Sequence, residues 1–353
     1  MSVLPAAGAI SFARGIPSPD LLPVEQLAEA SRRALERHGR VALNYGPSAG
    51  FGPLREWIAA RHGVATERVV VTPGSLIGLG FLVRHLLAGG GRTLVDSPTY
   101  DRMLHLVRAA GAEAVAEPPA RLAYVMPTLH NPTGRTLTLS EREQLADVIV
   151  EHELTVVEDD PYGLLRLDGE PQPHLHQLLG DRGAGELAVL MSSFSKSVAP
   201  GLRAGYLVLP EALVAPVEAL ATSTYVSPPL LAQAQLYEFL AAGHLEPHLA
   251  DVRAALRARR DALLEVLDAE LESHATWTRP DGGYFLWLEL AEGSAARLAE
   301  RAAAAGVPIV PGAGFFPGPG GERSARLSFS YPSVAEIREG APRLAALIRQ
   351  PDA

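Results

Sequence analysis

Lys196 is the residue of this sequence best placed to act as a nucleophile. It stands in Ser193-Phe-Ser-Lys196-Ser-Val-Ala-Pro-Gly-Leu-Arg203, just after an apolar run, in a chain whose basic residues are otherwise arginines. Apolar neighbours and nearby Arg203 disfavour its ammonium form, which suits an amine nucleophile. An arbitrary lysine is a solvated surface group, and the core strand expected before this one argues against that fate. Ser193-x-x-Lys196 also matches a serine nucleophile with a lysine base, but the companion S-D-N and K-T-G elements are absent.

Four more segments place polar or aromatic groups after apolar runs. His130-Asn131-Pro132-Thr133-Gly134 is made of turn formers and by itself reads as a loop. In Glu158-Asp159-Asp160-Pro161-Tyr162 the adjacent acids fit a metal pair or a helix cap. The spacing Asp159-x-x-Tyr162 also lets a carboxylate and a phenol reach one ligand from the same rim. Thr72-Pro73-Gly74-Ser75-Leu76 turns through glycine into a helix, whose first N–H groups and Ser75 hydroxyl suit a phosphate monoester. It is no Walker motif, and no G-x-G-x-x-G follows a strand, which argues against nucleoside triphosphates and dinucleotides. Ser97-Pro98-Thr99-Tyr100 offers a ring to stack on a flat ligand or to fill the core.

Short β-branched runs alternating with helical patterns must position these groups, which predicts an α/β fold with a mostly parallel sheet. Strands are expected at Arg68 to Thr72, Thr93 to Asp96, Leu122 to Met126, Thr155 to Glu158, Leu187 to Met191 and Ala204 to Leu209. Helices are expected near Ser75 to Leu87, Thr99 to Ala110 and Ser140 to His152, the last opened by a Ser140/Glu143 capping box. Ligands of such sheets sit at the carboxyl ends of strands, where the five segments fall. Beyond about Ser227 come long amphipathic helices, then a strand at Tyr284 to Glu289 after the turn Asp281-Gly-Gly. A helix near Ser294 to Ala305, strands near Val307 to Val310 and Arg326 to Ser330, and a helix near Val334 to Arg349 complete a smaller α+β unit. The expected division is a large domain over 41–225 and a small one from 1–40 with 226–353. No internal repeat is found.

The chain has 353 residues, 47% hydrophobic and 20% charged, enough for a large core and unlike a fibrous or disordered protein. With 31 Lys+Arg against 40 Asp+Glu, the net charge of -9 gives no attraction to nucleic acid or an anionic membrane. The absence of cysteine excludes disulfides and thiolate chemistry. The start Met1-Ser-Val-Leu-Pro-Ala-Ala-Gly8 lacks a signal-peptide pattern, and no apolar run reaches the about 18 residues of a membrane span. A cytoplasmic protein is expected.

Together and in this order, the segments resemble the pyridoxal-phosphate-dependent aminotransferases of fold type I, class I/II, especially the 2-aminoadipate and kynurenine aminotransferase branch. The resemblance runs from Phe12-Ala-Arg-Gly15 through Asn44-Tyr45-Gly-Pro-Ser-Ala-Gly50 to Ala325-Arg326-Leu-Ser-Phe-Ser330. It implies that Lys196 holds pyridoxal 5'-phosphate as a Schiff base and shuttles the substrate's proton, with Asp159 paired to the pyridine nitrogen. Asn131 and Tyr162 would bond the phenolic oxygen and Tyr100 would stack on the ring. The N–H groups of Ser75 and Leu76, the Ser75 and Ser193 hydroxyls and Arg203 would hold the phosphate. Arg326 is similar to the family's clamp on the substrate carboxylate, which Gly15 approaches, and Asn131 and Tyr45 are expected on the substrate's side as well. Tyr45 is similar to a tyrosine sent to the neighbouring subunit's site, which implies a homodimer. The implied reaction moves an amino group from an amino acid to a 2-oxo acid, 2-oxoglutarate being the expected acceptor, in two half-reactions.

Two departures stand out. Leu76 replaces a polar residue of the glycine-serine turn, so only its backbone can serve. The chain between Val115 and Leu122 is too short for the helix that relatives place there. The same cofactor chemistry would also serve a lyase, cyclase or oxidase, and a related fold serves as a sensor in bacterial transcription regulators. His174-x-His176 has no third ligand in evidence and no metal is expected. Pro311 to Gly321 reads as a substrate-pocket loop or a plain turn.

Overall fold

The structure is a computed structural model and describes residues 8–350. Residues 1–7, part of the stretch read for a leader and of the expected small domain, lie outside the described residues, as do 351–353. Strands β1 (Val69–Thr72), β2 (Arg92–Val95), β3 (Glu113–Val115), β4 (Leu122–Val125), β5 (Thr155–Asp159), β6 (Ala188–Ser193) and β7 (Gly205–Val208) form one sheet, ordered β1-β7-β6-β5-β4-β2-β3. The pairs from β3 across to β6 are parallel, while β7 runs against both β6 and β1. Every residue of β1, β4 and β7 is buried, the pattern of a sheet covered on both faces. The mostly parallel α/β architecture is the one expected.

A second, antiparallel sheet contains β8 (Ala275–Trp277), β9 (Phe285–Leu290), β10 (Val310–Pro311) and β11 (Ser324–Ser328), ordered β10-β11-β9-β8. The helices are α1 (Val24–Ala42), α2 (Gly52–His62), α3 (Ser75–Leu86), α4 (Asp101–Ala109), α5 (Leu139–Glu151), α6 (Leu175–Asp181), α7 (Glu211–Tyr225), α8 (Leu230–Ala241), α9 (Leu245–Glu270), α10 (Ala295–Ala304) and α11 (Val334–Arg349). Among the described residues no helix is long and apolar enough to cross a membrane.

Several boundaries differ from expectation for identifiable reasons. The capping box of α5 is Thr138 with Glu141, not Ser140 with Glu143, so the cap lies two residues earlier and the helix starts at Leu139. Helix α4 begins at Asp101 after a Tyr100 N-cap, and the Thr99 N–H before it donates to the Phe315 carbonyl at 2.8 Å. The strand expected at Val307 to Val310 shrinks to β10: Val307 and Ile309 are buried, yet only Val310 and Pro311 join the ladder. Strand β11 begins at Ser324 and ends at Ser328, two residues before the expected limits. No helix lies between Val115 and Leu122, in keeping with the shortness of that segment.

Candidate active site

Strand direction gathers the chemistry at one rim. Strands β4, β5 and β6 point the same way, and β1 shares their direction because antiparallel β7 stands between β1 and β6. Their carboxyl ends and the start of β7 therefore meet at one edge, where such sheets bind ligands. Gly205 at the start of β7 is opposite Thr72 on one side and Ser193 on the other. That register draws together Gly74, Ser75, Ser193, Lys196 and Arg203.

These residues make an anion cradle. Gly74 caps α3 with φ 94°, a conformation natural to glycine, and a Cβ there would strike the Arg203 guanidinium. A Cβ on Gly205 would collide with the Ser75 nitrogen and the Gly74 backbone, so the bare glycine lets the N-terminus of α3 rest on the strand end. The Arg203 backbone is itself left-handed, with φ 49°, and its Nη2 reaches the Pro73 carbonyl at 3.4 Å. Ser193 Oγ accepts from the Ser195 N–H at 3.1 Å and donates to the Ala204 carbonyl at 3.3 Å. Free N–H groups of a helix start, two hydroxyls and a guanidinium suit a phosphate monoester. Leu76 lies in the first turn with its side chain exposed.

Lys196 is the only lysine of the chain. Its Nζ donates to the Gly15 carbonyl at 2.9 Å, and its own carbonyl accepts from Tyr284 Oη at 2.8 Å. Burial, then the Arg326 and Arg203 cations, lowers its pKa to about 8 against the pull of Asp159. Asp159 is buried, and its Oδ2 accepts from Tyr124 Oη at 2.6 Å. Its Oδ1 is buried with no partner, an oxygen built to meet a donor that the protein itself does not supply. Burial pushes Asp159 up to about 7; the Tyr124 hydrogen bond and Lys196 pull it down, and Asp160 pushes it up. A protonated heterocyclic nitrogen fits that oxygen, and an aldehyde fits the amine of Lys196. The residues present therefore suit pyridoxal phosphate.

Arg326, on β11, brings the second sheet to the same place. Its Nη1 donates to Asn131 Oδ1 at 2.9 Å and its Nη2 to the Ala13 carbonyl at 3.3 Å, while Nε is buried without a partner. The guanidinium lies 4.2 Å from the Phe285 ring centroid and 5.1 Å from that of Phe315. The strap around Gly15 closes the space between Lys196 and Arg326: Ser328 N–H donates to the Phe12 carbonyl and Ser330 Oγ to that of Ile16. A Cβ on Gly15 would enter the Phe285 ring. Two cations facing a hollow with one unpaired N–H suit a carboxylate. Tyr162 is buried, with ring centroids 5.3 Å from Tyr284 and 5.8 Å from Phe285, and Tyr100 is half-buried at the head of α4. Tyr45 stands apart, 83% exposed.

Three supporting residues were not marked for these roles by the sequence, although His174 stood out as part of His174-x-His176. Tyr124 reads as a core aromatic in a strand. Arg142 reads as a helix-surface arginine, yet it is fully buried and donates to the carbonyls of Pro127, Leu137 and Pro173 and to Thr128 Oγ1, which pins the loop leading to Asn131. His174 Nδ1 is 2.9 Å from Glu158 Oε1, so this histidine braces the acid beside Asp159. Burial alone would lower His174, but Glu158 and Asp160 raise it to about 9.

Residues 8–124 and 116–344 match the family model described as aminotransferase class I and II. The chain is 35% identical to a 2-aminoadipate transaminase of Thermus thermophilus, covering 97% of this chain and 90% of that protein. It is 30% identical to aromatic-amino-acid aminotransferase 1 of Thermococcus litoralis, covering 99% and 90%. Among solved structures, the α-aminoadipate aminotransferase LysN of Thermus thermophilus, complexed with N-(5'-phosphopyridoxyl)-L-leucine, superposes with a TM-score of 0.91. It shares 34% identity over 97% of this chain and 92% of that one.

Proposed function

The chain belongs to the class I and II aminotransferases, pyridoxal-phosphate-dependent enzymes of fold type I that transfer amino groups, and from that premise we propose that Lys196 both holds the cofactor and moves the substrate proton. When bound, the cofactor supplies an electron-accepting ring that stabilises negative charge at the substrate Cα. A neutral amine is needed to take the Cα proton, and the lowered pKa of Lys196, about 8, provides one near neutrality. Asp159 Oδ1 would accept from the ring nitrogen, Asn131 and Tyr162 would bond the phenolic oxygen, and Tyr100 would cover the ring. Ser75, the Leu76 N–H, Ser193 and Arg203 would hold the phosphate, and Arg326 beside Gly15 would clamp the substrate carboxylate.

The observation that carries this reading is that the sole lysine shares a rim with a buried carboxylate whose outer oxygen has no partner. We take 2-oxoglutarate as acceptor and, as first donors to test, the 2-aminoadipate and aromatic amino acids named for the relatives. The test is a donor screen with and without 2-oxoglutarate. Glutamate formation supports transfer; oxygen uptake or elimination products without glutamate overturn it in favour of an oxidase or lyase.

The same reading makes the active unit a homodimer in which Tyr45 reaches the partner's phosphate. Exposed Leu35 and Val41 line a cleft of about 630 Å³ along α1 together with charged Glu36, Arg37 and Arg40, close in sequence to exposed Leu43 and Tyr45; the exposed apolar groups of this mixed surface support the docking of a second copy. Mixing inactive Tyr45→Phe and Lys196→Ala chains tests it: activity returns when one intact site forms per mixed dimer, and continued inactivity after subunit exchange rejects the crossing tyrosine.

A further inference from the structure

We propose that Tyr124 is a positioning residue of this reaction, its hydroxyl fixing the Asp159 carboxylate so that Oδ1 meets the cofactor's ring nitrogen. This rests on the proposed role of Asp159. The sheet register creates the contact. Tyr124 on β4 is directly opposite Val157 on β5, so Tyr124, Val157 and Asp159 share one face of the sheet. Asp159 is two residues further along, roughly 6.6 Å of strand rise. A tyrosine spans that distance along the face, and its Oη reaches Oδ2 at 2.6 Å. Phenylalanine would fill the same space without the hydrogen bond.

The bond matters because of where it lies. Tyr124 is fully buried and Asp159 nearly so, so water cannot replace the donor. With Oδ2 held by Tyr124 and Oδ1 without a partner, the carboxylate has one fixed and one outward oxygen. Without the hydroxyl it can rotate, and both oxygens compete for one cationic partner. A hydrogen bond to the charged form also opposes the burial that drives Asp159 toward its neutral form. A neutral acid in that position would hold a protonated ring nitrogen poorly.

The experiment compares the holoenzyme with Tyr124→Phe, Asp159→Ala and the double variant by spectrally monitored cofactor titration of the apo-proteins and by steady-state kinetics. A carbocyclic cofactor analogue, with CH in place of the ring nitrogen, is titrated in parallel. Thermal unfolding of the apo-proteins reports folding. Tyr124→Phe should weaken pyridoxal-phosphate binding by about tenfold, lower kcat more than it changes KM, and bind the analogue as the parent does. Added to Asp159→Ala it should cost little more. Unchanged cofactor affinity and kcat in Tyr124→Phe overturns the proposal while Asp159→Ala remains impaired. An equal loss of affinity for the analogue also overturns it, because the effect would then not pass through the nitrogen. If Asp159→Ala binds and turns over like the parent, the role of Asp159 falls and this proposal with it.

Discussion

Arg326 Nη1 donates to Asn131 Oδ1 across 2.9 Å although the two residues are 195 apart in sequence. Asn131 belongs to a loop after the large sheet and Arg326 to the antiparallel sheet, so the contact joins the side proposed for the cofactor to the side proposed for the substrate. Arg326→Ala should raise KM for the amino acid by about two orders of magnitude, about 3 kcal/mol, while leaving cofactor affinity near that of the parent. Arg326→Lys should rescue little, because a point charge cannot reproduce a planar two-pronged contact. Paired substrate kinetics and cofactor titration check this; a parallel loss of both affinities would move Arg326 out of the substrate's side.

Lys196 has a pKa of about 8 against an ordinary 10.5. The folded value lies below the unfolded one, so between those pH values the unfolded chain binds more protons, and this group makes stability rise with pH across that window. In the apo-protein, modification of Lys196 by an amine-reactive reagent, followed by peptide mass spectrometry, should show a midpoint near pH 8. Arg326→Ala should move that midpoint upward by removing a neighbouring cation. A midpoint at the ordinary lysine value would contradict the burial argument. Lys196→Ala should fold and lose the borohydride-fixed cofactor adduct.

Gly205 has no room for a side chain against the Ser75 amide. Gly205→Ala should lower stability by about 1–3 kcal/mol and weaken cofactor binding as the start of α3 is pushed off the strand end. Urea unfolding and cofactor titration measure the two effects. An alanine variant with parental values for both would mean that the cradle yields without cost.

Arg142→Leu should cost about 3–5 kcal/mol, since it strands buried carbonyls and removes the cation 3.8 Å from buried Glu158. Turnover should fall as well through the loop bearing Asn131. Thermal unfolding together with kinetics checks both, and a stable, fully active variant would show that this knot is dispensable.

The large sheet was legible because its β-branched runs are short and bounded by turn residues, and the groups after them are the ones the rim collects. Lys196 announces itself by residue type and position, whereas Asp159 and Asn131 acquire their expected roles only through the family resemblance. Tyr124 and Arg142 do neither, since their importance comes from cross-strand register and complete burial, which one sequence does not display. Strands β3 and β8, three residues each, carry too little periodicity to register. The α5 cap was misplaced because Thr138-x-x-Glu141 and Ser140-x-x-Glu143 satisfy the same pattern, and only the fold chooses between them.

The strap at Phe12 to Ile16 is held by Ser328 and Ser330, near the opposite terminus. During synthesis this wall of the proposed substrate hollow is made well before the Ser328 and Ser330 groups that hold its backbone, although Lys196 can bond the Gly15 carbonyl earlier. Closing this loop of some three hundred residues is a long-range step, slow relative to local helix and turn formation, so competence should arrive late in folding, after most of the large sheet.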